Sequence, residues 1–214
     1  MAQCPACGVV MAKAGVAVPR RIRRGRWTLR EADSLSAVRL WRLPMAAVFA
    51  VWGVMLILMD YRDGEIGGSF LHRPLLVFHE AGHVLFMPFG EWMTVLGGTL
   101  GQLLMPAILA GALLLKNEDR FGAAMGVWLL GVSVLDVAPY IYDALHPQLM
   151  LLGGRTGEDG PHDWIYLLSS MGLLSRAQML GALTHYLGAL IVLGASIWSA
   201  WEAWNIEMEW TDSL

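Results

Sequence analysis

The chain has 214 residues, of which 56% are hydrophobic and only 15% are charged, and its formal net charge is −3. A soluble domain carries about 25% charged residues, so the composition argues against an ordinary soluble fold. Only two cysteines are present, which excludes a disulfide-linked scaffold. The charges fall in short clusters between long apolar stretches, and this pattern indicates a polytopic membrane protein.

An N-terminal segment, residues 1–42, precedes the first apolar stretch. Cys4 and Cys7 form a Cys-x-x-Cys pattern that is half of a zinc knuckle. A closed structural site needs four ligands, so the pair is either incidental or completed by other side chains or a second subunit, as in a homo-oligomer. The stretch "RRIRRGRWTLR" follows, and the positive-inside rule then predicts a cytoplasmic N-terminus. The alternative is a patch for nucleic acid or lipid headgroups; we expect no nucleic-acid partner.

Five apolar stretches define a transmembrane domain over residues 43–204. They are Leu43–Met59, Pro74–Phe89, Trp92–Leu115, Phe121–Leu145 and Ala177–Trp204. A helix needs about 20 apolar residues to cross a bilayer, and only the second stretch is marginal by length. The sequence therefore predicts an all-α bundle of about five transmembrane helices, with the C-terminal tail, residues 205–214, outside. A further re-entrant or interfacial helix is considered over Asp163–Ser175.

The second stretch contains His79, Glu80 and His83 in the pattern His-Glu-x-x-His. Residues four apart lie on one face of a helix, so both imidazoles can bind one metal ion. Glu80 directly follows the first histidine, where it can act as the general base for hydrolysis. Ionisable residues inside a span cost roughly 2.5–3.5 kcal/mol each. Three of them together indicate a functional site, and the spacing predicts zinc.

A catalytic zinc ion needs a third protein ligand, and the fourth stretch offers Asp136 and Asp143. They are seven residues apart and share a helix face. Counted from the ends of their stretches, His79, His83 and Asp136 lie at similar depth, whereas Asp143 lies nearer the surface. We therefore predict Asp136 as the third ligand. Asp143 is predicted to support the ligands or to lie on the substrate side.

The polar loop "GGRTGEDGPHDW" ends in His162, Asp163 and a tryptophan. We predict that Asp163 caps the helix that follows it. His162 is the alternative candidate in this loop, as a lid or further ligand over the metal. The histidines outside these groups, His72 and His185, are predicted to be isolated structural residues.

These features together resemble the site-2 protease class of intramembrane zinc metallopeptidases. The resemblance lies in the His-Glu-x-x-His helix, the pair Gly97 and Gly98, and Leu135 followed by Asp136 in a later stretch. It covers residues 72–145, about a third of the chain. The chain departs from the class in lacking the Asn and Pro that usually precede the Leu-Asp pair, which makes it similar to a remote branch.

The resemblance implies a three-span catalytic core with zinc bound by His79, His83 and Asp136. It also implies Glu80 as the general base. Another departure is Val137, which stands where the class has glycine after the aspartate.

Membrane-embedded zinc metalloprotease activity on membrane protein or peptide substrates is thus the favoured function, in the bacterial inner membrane. The alternative is a metal-binding membrane protein without hydrolytic activity, such as a transporter or sensor. A b-type cytochrome is disfavoured, because its axial histidines face one another across helices. Glu80 separates the first two classes, since a transporter has no special need for an acid beside its first ligand.

Overall fold

The computed structural model describes residues 29–151 and 154–205, with side chains from Leu40 onward. The described residues form six α-helices and no strand, which confirms the predicted all-α class for this part of the chain. The helices are α1 (Leu29–Leu58), α2 (His72–Phe86), α3 (Glu91–Leu115), α4 (Arg120–Asp143), α5 (Asp163–Ser170) and α6 (Ala177–Trp204). Cys4, Cys7 and the tail beyond residue 205 lie outside the described residues, as does most of the arginine-rich stretch.

Four helices are long and apolar enough to cross a membrane. They are Leu40–Leu58, Glu91–Leu115, Arg120–Asp143 and Leu174–Trp204. The helix with the histidine motif, α2, has only 15 residues, fewer than the roughly 20 that a span requires. The described part of the chain therefore has four candidate spans where the sequence predicted about five.

The central helix of the bundle is α4, which packs against both α6 and α3. Trp128, Val132 and Leu135 on α4 are almost completely buried, and they share one core cluster with Leu56 of α1 and Val192 of α6. The chain divides into two compact units between residues 40 and 41, and all the packing described here lies within the second.

Apolar side chains also cover the outward faces of the long helices. Exposed examples are Val51, Met55, Leu58, Ile108, Leu115, Leu187, Leu190 and Ile197. Large apolar patches are rare on the surface of a water-soluble monomer. Lipid tails are as apolar as leucine, so this distribution is the one expected of helices surrounded by lipid.

Glycines form the contact between α2 and α3. A Cβ atom on Gly82 would overlap the carbonyl oxygen of Gly97, and one on Gly101 would lie 2.5 Å from the carbonyl oxygen of Phe78. Only backbones without side chains can approach so closely. The two helices run antiparallel, and their contact places the histidine face of α2 directly against α3.

The start of the α1 span, the start of α4 and the end of α6 meet at one end of the bundle. At this end Ala46 of α1, Phe121 of α4 and Ala203 of α6 form a small core cluster. Arg120 and Glu202 form a salt bridge of 2.8 Å there. The C-terminal end of α6 thus lies beside the first part of the α1 span, whereas the predicted five-span topology would have placed it at the opposite end.

Candidate metal centre

The histidine motif lies on the buried face of α2. His79 is 6% exposed, His83 is half-buried, and their ring centroids are 4.9 Å apart. Glu80 is exposed, and the possible ligand atoms of the three residues all lie within 4.8 Å of one another. The helical spacing thus brings the predicted trio together, as expected for residues one turn apart.

The tautomer of His79 follows from its hydrogen bonds. Its Nδ1 atom lies 3.2 Å from Oε1 of Gln102, and Nε2 of the same amide donates to Oδ2 of Asp136 at 2.8 Å. A carboxylate can only accept, so the amide nitrogen faces Asp136 and the amide oxygen faces the imidazole. Nδ1 of His79 must therefore be the protonated nitrogen, which leaves Nε2 with a lone pair in the neutral ring.

The second imidazole is oriented in the same way by the backbone of α3. Nδ1 of His83 lies 2.8 Å from the carbonyl oxygen of Thr94. A carbonyl oxygen accepts only, so Nδ1 donates and Nε2 carries the lone pair. Histidines that bind metals commonly donate their other ring N–H to a carbonyl or carboxylate in this manner.

A carboxylate from the other half of the chain faces both lone pairs. Oδ2 of Asp163, the first residue of α5, lies 2.9 Å from Nε2 of His79 and 3.3 Å from Nε2 of His83. Two lone pairs and a carboxylate oxygen repel one another at these distances. The three groups are stable in this arrangement only if a metal ion or added protons supply positive charge between them.

Asp136 occupies a different position from the one predicted for a third ligand. One of its oxygens lies 2.9 Å from Nδ1 of His72, and the other accepts from Gln102. The helices α2 and α4 do run in parallel, as predicted. Their register differs, however: Asp136 lies level with His72, and it is Tyr140, one turn later, whose ring approaches His79 at 6.0 Å.

The structure places the two residues at the end of the polar loop differently from the prediction. His162 caps α5, because its Nδ1 accepts the backbone N–H of Ile165 at 3.3 Å. Asp163 was predicted as the cap, yet its carboxylate faces the histidines. His72 was predicted to be isolated, yet it pairs with Asp136. His185 has no place in the centre and stacks on Tyr61 with ring centroids 4.5 Å apart.

Asp143 organises the loop that leads to α5. Its Oδ1 accepts the backbone N–H groups of Gln148 at 2.7 Å and Leu149 at 3.1 Å. Its Oδ2 lies 3.4 Å from Nε2 of His162, whose side chain is completely buried. These contacts hold the loop, and the prediction that Asp143 supports the ligands or lies on the substrate side stays a prediction.

A cavity of 660 Å³ opens beside the centre. Its polar lining includes His72, Glu80, Tyr140 and Asp163, and apolar side chains such as Leu76 cover much of the rest. A volume of this size lies within the usual range for a bound ligand. Glu80 therefore faces a space large enough for a substrate and for water.

Gly98 lies directly beneath the two imidazoles. A Cβ atom at this position would lie 2.5 Å from Nε2 of His79 and 2.6 Å from Nε2 of His83. Both distances are shorter than any contact that real Cβ atoms make. The absence of a side chain here leaves the space around the two Nε2 atoms open.

No sequence model of a protein family, no characterised protein and no solved structure matches the chain. Its function is therefore inferred from the geometry of this centre. Sequence reasoning missed Gln102, Thr94 and Tyr140, because their roles depend on contacts between helices. For Asp163, the carboxylate that faces the two histidines, the one local signal in the sequence was the polar pair His162 and Asp163 immediately before an apolar helix.

Proposed function

We propose that the chain is an integral membrane zinc hydrolase that cleaves peptide bonds in membrane protein or peptide substrates. One observation carries the proposal. The hydrogen bonds of both imidazoles leave Nε2 lone pairs that converge on one point, with the carboxylate of Glu80 beside them at the cavity. This combination supports metal-assisted hydrolysis.

The donor set fits zinc. Neutral imidazole nitrogens and carboxylate oxygens are ordinary zinc ligands, and a catalytic site combines three protein ligands with one open position. Here His79 and His83 would hold the ion, and the space above Gly98 would admit it. When bound, zinc would polarise a water molecule and the carbonyl group of the substrate.

Glu80 would then accept the proton of the attacking water and pass it to the leaving amine. Its exposure to the cavity supports this role, because a general base must reach both water and substrate. Gln102 and the carbonyl of Thr94 would hold the two imidazoles in the coordinating tautomer. The apolar part of the cavity lining suits an extended segment of a membrane protein.

The topology that we propose places the centre on the non-cytoplasmic side of the membrane. The arginine-rich stretch precedes the Leu40–Leu58 span in the sequence, which argues that the start of this span is cytoplasmic. The same end of the bundle holds Phe121 and Ala203. The metal centre lies near Tyr140 and Asp143, at the other end of α4.

A non-hydrolytic transporter or sensor is the second candidate, favoured by the ion pair of His72 with Asp136 beside the cavity. The test compares wild-type protein with the Glu80→Gln variant, purified in detergent and loaded with zinc. We expect one zinc per chain in both proteins, because Glu80 is not a ligand in the proposal. Cleavage of a membrane-anchored peptide library should occur only with the wild type.

A His79→Ala variant serves as the second control, and it should bind no zinc. Equal cleavage by wild type and Glu80→Gln would exclude the proposed mechanism. Zinc binding without cleavage by the wild type would favour the transporter or sensor.

A further inference from the structure

We infer that Asp163 is the third metal ligand and that the loop after α4 delivers it to the two histidines. The inference rests on the proposed metal site and adds a ligand to it. The third ligand would then lie at the start of the short helix α5, outside the four candidate spans. Asp136, on the central span, then acts on the metal only through other side chains.

The donor atoms of His79, His83 and Asp163 are spaced as the ligands of one zinc ion would be. Ligands on a tetrahedral zinc ion with bonds of about 2.0–2.1 Å lie about 3.4 Å apart. Oδ2 of Asp163 lies 2.9 Å from one imidazole Nε2 and 3.3 Å from the other. Because both Nδ1 atoms are donors, no proton of a neutral imidazole is available to hold the carboxylate there. The three atoms form an arrangement that a cation would stabilise.

Contacts with α4 hold Asp163 in place. Its backbone N–H donates to the hydroxyl oxygen of Tyr140 at 3.0 Å. The preceding His162 lies against the same tyrosine, with ring centroids 4.2 Å apart, and is buried beside Asp143. Three contacts on α4 thus determine the position of a residue 20 or more positions later in the chain. Such support is typical of ligands that must be held in a precise geometry.

Asp136 is the competing carboxylate on the central helix. Both oxygens of Asp136 already have partners, His72 and Gln102. To bind the ion, Asp136 would have to give up one of them and reach towards the next helical turn. Through Gln102 it instead positions the imidazole of His79. Asp136 is therefore a positioning residue.

The sharpest test places a thiol at each position. In a Cys4→Ser, Cys7→Ser background, the variants Asp163→Cys and Asp136→Cys are loaded with cobalt(II) in place of zinc. A thiolate bound to cobalt gives an intense near-ultraviolet charge-transfer band, and cysteine is a normal ligand for such ions. We expect the band with Asp163→Cys and not with Asp136→Cys. The opposite pattern would overturn the inference.

Zinc titrations provide the second, independent measurement. Asp163→Ala and the isosteric Asp163→Asn should lose more than about 100-fold in zinc affinity. Asp136→Ala should lose the smaller 10–100-fold that is typical of residues supporting a ligand. Asp159→Ala, which removes an exposed acid from the same loop, should bind zinc like the wild type.

The outcomes separate this inference from the proposed function. Wild-type zinc affinity in both Asp163 variants would overturn the inference while leaving the histidine site intact. A wild-type protein that binds neither zinc nor cobalt would overturn both. Circular dichroism and size exclusion in detergent confirm beforehand that each variant is folded.

Discussion

The carboxylate of Asp163 lies 2.9 Å from Nε2 of His79, although 84 residues separate them in the chain. Neither residue is on one of the four candidate spans: His79 lies on the short helix α2, and Asp163 begins the short helix α5. The central helix α4 brings them together, since Tyr140 contacts both. The candidate centre is thus assembled from short elements packed against one long helix.

Gly98→Ala should abolish high-affinity zinc binding. The added methyl would lie 2.5–2.6 Å from the Nε2 atoms of His79 and His83, so at least one imidazole must move. Distances between zinc and its ligands tolerate a deviation of about 0.2 Å, so a displacement of an imidazole by about 1 Å would disrupt coordination. We expect a loss of about 100-fold or more in zinc affinity, measured by competition with a chromophoric chelator.

Gly111→Ala is the matched control on the same helix. A Cβ atom at Gly111 meets nothing within 4 Å, and alanine favours a helix by about 1 kcal/mol over glycine. Zinc affinity should be unchanged and thermal stability equal or slightly higher. A similar loss of zinc in both variants would mean that α3 as a whole, and not the space beneath the imidazoles, controls binding.

Gln102→Leu should reduce zinc affinity by about 10–100-fold, the usual effect of removing a partner of a metal ligand. The substitution leaves Nδ1–H of His79 and one oxygen of Asp136 without their partner. Combining it with Asp136→Asn should cost little more than either change alone, because the two residues act on the same imidazole. Additive losses of zinc affinity, measured by isothermal titration, would contradict the idea that Asp136 acts on His79 through Gln102.

Asp143→Ala should loosen the loop that carries Asp163. Two backbone N–H groups, those of Gln148 and Leu149, lose their acceptor, at a cost of about 1–3 kcal/mol for each group left unsatisfied. We expect faster hydrogen exchange in residues 144–151 and weaker zinc binding than in the wild type. Exchange that stays at the wild-type rate would show that the loop is held by other contacts.

The two ends of α4 should face opposite sides of the membrane. In a background without Cys4 and Cys7, Lys116→Cys probes the connection before α4, and Met150→Cys probes the exposed loop after it. A membrane-impermeant maleimide applied to intact cells should label position 150 and not position 116. Labelling of both positions in intact cells would contradict four spans. Labelling of position 116 alone would mean that the orientation is the reverse of the one proposed.

Local patterns in the sequence were sufficient for the fold class and for the first half of the site. Long apolar stretches predict helices, and four of the five stretches are long enough here to cross a membrane. His79 and His83 meet because helical geometry places residues four apart on one face, whatever surrounds the helix. Glu80 follows from the same local geometry.

Only the tertiary structure decided which carboxylate meets the histidines. Depth measured from the ends of the apolar stretches placed Asp136 level with His79. In the structure Asp136 is instead level with His72, with which it forms an ion pair. His72 and His79 are seven residues apart on α2, which is about 10.5 Å along the helix axis, and this exceeds the reach of a zinc ligand. Asp163 reaches the site instead, because long-range contacts with Tyr140 and Asp143 determine the path of its loop.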